Sequence, residues 1–223
     1  MTPLSSEKDV APVNIGSGRV PLETLNELML KIYQTPDRRL GTDYYLIQRE
    51  MAKRGKRSNA VRYMLKVVAI VKQGTTFIAA KTRAGSLTTA IGAISADHWY
   101  NTGIRDAMDS LLLDGSPLEN RAIASAFGEA REELRVRPEE VRRVVLLPSA
   151  IIIKDVKANR FTAHIFVEMY LSDDVSIRTL EERHYKDSID KSLSDSFRET
   201  GPPTVIRDWR QFGRRTVDLL DAL

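Results

Sequence analysis

The chain has 223 residues, 42% hydrophobic and 29% charged, so it can bury a sizeable core and is not disordered as a whole. Its 34 Lys and Arg stand against 30 Asp and Glu, and the resulting net charge of +4 does not by itself announce a nucleic-acid binder. Cys is absent, which excludes disulfides, thiolate metal sites and a Cys nucleophile, and three His are too few for a His-rich metal cage.

No apolar run approaches the roughly 20 residues needed to span a bilayer. The first residues, MTPLSSEKDVAP, lack both the basic and the apolar region of a secretory signal. A cytoplasmic protein with no membrane partner is the expectation. Residues 1–20 carry Pro3, Pro12, Gly16 and Gly18 without apolar periodicity and read as a tail. Leu22, Leu25, Leu28, Met29 and Ile32 recur at helical spacing and predict an amphipathic helix over 22–33. That helix packs either on its own domain or on a neighbouring subunit, in which case the protein is a homodimer. Tyr44 to Gln48 predicts a short strand. Arg49 to Lys66 is basic, with Glu50 as its one acid, and reads either as a solvated loop or as a phosphate-attracting surface.

Tyr63 to Val71 and Thr76 to Lys81 predict a hairpin about Gln73-Gly74, and Leu87 to Ser95 a further strand holding Gly92. A helical piece follows over 104–113. Ser116, Pro117 and Glu119 then form a capping box with Pro at the first helical position, starting a helix that runs to about Val136 before Pro138. Val141 to Ile153 is β-rich but interrupted by Pro148, which predicts two pieces or an edge strand. Phe161 to Leu171 alternates, with Phe161, Ala163, Ile165, Val167, Met169 and Leu171 on one face. A last helix is predicted over 205–220. Strands, one capped helix, more strands and terminal helices make an α+β mixed sheet a better match than a doubly wound fold.

At about 100° per residue, Ile123, Phe127, Ala130 and Leu134 form the apolar stripe of the capped helix, and Glu129, Glu132 and Glu133 cluster elsewhere on it. Carboxylates at i, i+3 and i+4 repel by a few tenths of a kcal/mol per pair. Salt-pairing would offset that, Glu132 with Arg135 and Glu133 with Arg137. So would a divalent cation, since hard ions such as Mg²⁺ or Mn²⁺ take carboxylate oxygens.

Residues 128–136, Gly-Glu-Ala-Arg-Glu-Glu-Leu-Arg-Val, resemble the end of the Nudix box, R-E-U-x-E-E-x-G-U with U aliphatic. The Tyr45–Glu50 and Tyr63–Val71 segments are similar to the entry strands of that family. Ile91-Gly92-Ala93-Ile94 is similar to its Gly-Gly strand, and 161–171 to its returning strand. The resemblance implies a Nudix-like α/β/α sandwich over 44–223 with an N-terminal helical extension over 1–43. It also implies metal ligands at Glu129, Glu132 and Glu133, Mg²⁺ or Mn²⁺ as cofactor, a nucleotide-like small molecule as partner, and hydrolysis of a pyrophosphate bond in a nucleoside diphosphate derivative. On that basis Glu132 and Glu133 would be catalytic, and Glu168, on the polar face of its strand, an accessory ligand or base. Arg49 and Lys66 would meet substrate phosphate and Trp99 would stack on a base. Against these stand plainer roles: a solvent-facing Glu168, surface cations, a core-edge Trp99 and a packed His164.

Five positions depart from the family pattern. Gly128 stands where the family has Arg, Arg135 where it has Gly, Asn120 at the upstream Glu, Asp114 at the upstream Gly with Gly115 adjacent, and Ala93 at the second Gly of Gly-Gly. Arg131 is a candidate to orient the glutamates in place of the missing Arg. The departures leave a second reading open, a Nudix-like module without catalysis that senses a nucleotide-like ligand or binds a protein. Nucleic-acid binding through the 49–66 stretch ranks last, because Tyr63 is its sole aromatic.

Overall fold

The computed structural model describes residues 18–25, 62–82, 85–113, 115–155, 160–189 and 201–223. The predicted strand 44–48, Arg49, nearly all of the basic stretch, helix 22–33 beyond Leu25 and the polar stretch from 190 lie outside the described residues.

β-branched and aromatic residues dominate two long strands, β2 (Arg62–Gln73) and β7 (Arg160–Leu171), which pair in parallel along eleven positions and form the centre of the sheet. Beside β7 lies β6 (Val141–Asp155), antiparallel, and then β1 (Gly18–Pro21) at the edge. On the other side β2 turns at Gly74, in left-handed conformation, into β3 (Thr76–Lys81). β4 (Leu87–Thr88) and β8 (Thr204–Ile206) flank β3, and β5 (Ala90–Ala93) returns to pair with residues 66–69 of β2. The architecture is α+β with a mixed sheet, as expected.

Pro148 does not split β6. The ladder to β7 instead skips between Leu146 and Ala150, which face Val167 and Ile165, so the residue without an N–H sits in a bulge. Nor is β6 an edge there, because β1 pairs with Ser149 to Ile152. Gly18 to Pro21, expected as tail, is therefore a strand, and Leu22 and Leu25 after it are buried with Leu65, Leu118 and Ile165.

Helices cover both faces. α1 (Ala96–Tyr100), α2 (Thr102–Ser110) and α3 (Pro117–Leu134) lie on the face carrying Val67, Ala69, Val71, Val167 and Met169. The predicted stripe of Ile123, Phe127, Ala130 and Leu134 is buried there. α5 (Arg214–Asp221) covers the opposite face, where Leu219 packs on Val68, Ile70, Ile151 and Phe166. α4 (Ile177–Ile189) follows β7 and lies outside the sequence expectation.

Candidate metal and phosphate site

α3 begins as its sequence dictates. The Ser116 hydroxyl accepts from the Glu119 N–H, and the Glu119 carboxylate accepts from the Ser116 N–H. Its end is less expected. Arg135, at the family's Gly position, adopts the left-handed C-cap with φ 61°, and its N–H reaches the Ala130 carbonyl. A non-Gly residue there is strained. The side chain is held in place by α4: a guanidinium nitrogen meets His184 Nδ1 at 3.3 Å and Nε lies 3.6 Å from Asp187. Burial pushes the Arg135 pKa down to about 10, with Asp187, Glu132 and Glu133 opposing.

The three glutamates project from the last two turns of α3 toward β5 and α1. Glu129 lies against Gly92, where an added Cβ would fall on its carboxyl group. This close approach explains a Gly inside the strand. Burial first, and then the Glu132 charge, pushes the Glu129 pKa up to about 7 against the pull of His98 and Lys66. Glu133 accepts from the Ile91 N–H at 3.2 Å. Burial and the Glu129 charge raise its pKa to about 8. Glu132 is different: His98 Nε2 lies 3.1 Å from its carboxylate, and that hydrogen bond is the main reason its pKa is lowered. Burial pulls the His98 pKa down, yet the Glu132 bond and the charges of Glu129, Glu132 and Asp97 leave it raised.

Gly128 is explained by the same contact. A Cβ there would land on the His98 ring. The imidazole thus takes the room that a side chain at 128 would fill and holds a glutamate from that place. His98, rather than Arg131, does the orienting. The signal was present in the sequence only as a pair, Gly128 and a His just past the Gly92 strand, and nothing in the spacing joined them.

Lys66 lies by alternation on the α5 face; Glu129 and Glu133 act on its charge, but burial, Arg215 and Arg160 outweigh them and its pKa is lowered. Two other candidates are not brought to the glutamates. Glu168 sits on the α5 face of the sheet, where it pairs with Lys72 at 2.5 Å and accepts from the Tyr170 hydroxyl at 2.6 Å. That pairing makes it neither a ligand beside the three glutamates nor a solvated surface residue, because period-2 alternation turns it away from α3. Trp99 packs at the core edge with the Arg121 guanidinium 4.8 Å and the Arg105 guanidinium 5.9 Å from its ring centre, so cations, not a base, stack on it here.

The donor chemistry suits a hard divalent ion: all-oxygen ligands, two of them half-buried and repelling each other. The present rotamers do not assemble a full ligand set. Among the described residues no group of three or more His, Asp or Glu is arranged to hold an ion, with Glu132 turned to His98 and Glu133 to the Ile91 N–H.

No family model and no curated protein matches this chain. Among solved structures it is similar to a pyrophosphohydrolase from Bacillus subtilis, at 9% identity and a TM-score of 0.38, covering 70% of this chain and 78% of that one. It is also similar to a bifunctional NMN adenylyltransferase/ADP ribose pyrophosphatase from Francisella tularensis, solved with AMP and a Mn ion, at 15% identity and a TM-score of 0.32. That likeness covers 67% of this chain but only 39% of the other. At those scores the likenesses assign neither family nor chemistry.

Proposed function

We propose that the chain is a Nudix-type hydrolase that cleaves a pyrophosphate bond in a nucleoside diphosphate derivative with Mg²⁺ or Mn²⁺. One observation carries this reading: Glu129 and Glu133, adjacent on one helix face, are both half-buried and both hold protons more tightly than ordinary carboxylic acids. Two desolvated like charges are costly as they stand and are relieved by a cation. Glu129, Glu132 and Glu133 would hold the ion, which when bound polarises a phosphoryl oxygen and lowers the pKa of water.

The chain's own residues have distinct parts. Gly92 lets Glu129 lie on the strand. His98 keeps Glu132 ionised and aimed until it is recruited as a ligand. Glu133 is a candidate base, because its raised pKa lies near neutral pH. Lys66, on the other face of the sheet, acts on the site through its charge alone. Phosphate release from nucleotide sugars, dinucleotides and NAD-type compounds tests the reading. Release that requires Mg²⁺ or Mn²⁺ and falls at least about 100-fold in Glu132→Gln and Glu133→Gln is expected.

The incomplete ligand set favours a second reading, a related module that binds a nucleotide-like ligand without hydrolysing it. Saturable nucleotide binding with no metal-dependent release from any of those substrates would select it.

A further inference from the structure

The face of the sheet opposite α3 carries a groove of about 840 Å³ between β6, β7 and α5. Its volume is that of a small-molecule site. Ile151, Ile153 and Leu219 make an apolar wall, and among the described lining residues Lys154, Arg160, Arg214 and Arg215 are cationic and Asp218 is acidic. Asp218 offsets little, since it lies 4.0 Å from a solvated Arg214. His164 also lines the groove. It is 1% exposed, with the Ile151 and Thr162 backbone against its ring. Burial, with Lys66 and Arg215 adding to it, lowers its pKa to about 4, so at neutral pH the ring adds no charge to the groove. Lys66, by alternation on the same face of β2, adds a further positive charge that Arg160 and Arg215 feel.

We propose that this groove is a second ligand site, separate from the three glutamates, that binds a phosphorylated small molecule with an apolar body: Arg214, Arg215 and Arg160 face its phosphate, and Ile151, Ile153 and Leu219 receive the rest. Guanidinium groups suit a dianionic phosphate. A small molecule fits better than nucleic acid, because the described lining residues include no aromatic ring on which bases would stack. The site does not depend on the hydrolase reading and would stand if the glutamates proved inert.

Calorimetric titration of the full chain in EDTA with AMP, inorganic phosphate and a short oligonucleotide tests it. AMP is expected to bind saturably and more tightly than inorganic phosphate. The double variant Arg214→Ala/Arg215→Ala, on the exposed side of α5, should weaken AMP at least about tenfold. Glu133→Gln should bind AMP like the parent. The proposal is overturned by any of four results: no saturable AMP binding up to about 10 mM, an unaffected double variant, loss of binding in Glu133→Gln, or arginine-dependent oligonucleotide binding tighter than that of AMP.

Discussion

A single missing side chain at position 128 changes what holds the acidic site together. The family pattern has Arg there; this chain has Gly, and the His98 ring occupies the vacated space and bonds Glu132. Gly128→Ala would gain about 1 kcal/mol of helix propensity and lose about 1–3 kcal/mol to crowding. Its clearest effect should be on His98, whose pKa by NMR should drop from its raised value as the ring leaves Glu132; an unchanged His98 titration would refute the assignment. The half-buried carboxylates also set a pH dependence. Glu129 and Glu133 release their protons near pH 4.5 in the unfolded chain but near 7 and 8 when folded. Their contribution is therefore fully present below pH 4.5 and is lost as pH climbs through 7 and 8. In EDTA the melting temperature should fall between pH 5 and pH 8.5, and Glu133→Gln should flatten that fall. An equal slope in the variant would show that these acids do not cause it.

At the scale of elements, α3 was the most legible part of the chain. Its capping box and apolar stripe are local signals, and both hold in the structure. Its C-terminus was half legible: Pro138 bounded it, but a left-handed Arg135 depends on His184 and Asp187 of α4, some 50 residues on. α4 itself was missed because its polar residues carry no strong apolar period. β6 was misjudged at Pro148 because a bulge, which needs the β7 partner to define it, absorbs the missing N–H. Arg135→Gly separates the two influences on the helix end. The left-handed cap is relieved by about 1–2 kcal/mol, while α4 loses its buried tie. Limited proteolysis within α4 should accelerate, with α3 still protected from hydrogen exchange. Equal protection of α4 in the variant and the parent would show that Arg135 does not anchor it.

For the whole molecule, the sequence conveyed an α+β sheet and the face carrying α3, and it did so through alternation in 161–171 and helical period in 117–134. It did not convey that a terminal helix covers the second face. The even-numbered residues of β7 therefore looked solvent-facing, and Glu168 was a candidate ligand or base beside the glutamates. The sheet separates them: Glu168 is paired to Lys72, and His164 lies beneath α5. The acidic cluster and the basic groove sit on opposite faces of the sheet, with Lys66 influenced by both. The central claim is that the acidic cluster exists to grip a divalent cation. Room-temperature electron paramagnetic resonance of Mn²⁺ titrated into the protein at pH 8 tests it most directly, since only free Mn²⁺ gives the sharp six-line signal. About one Mn²⁺ per chain should be removed from that signal by the parent protein, and Glu129→Gln/Glu133→Gln should remove none. A signal that follows total Mn²⁺ equally for parent and variant would contradict the account.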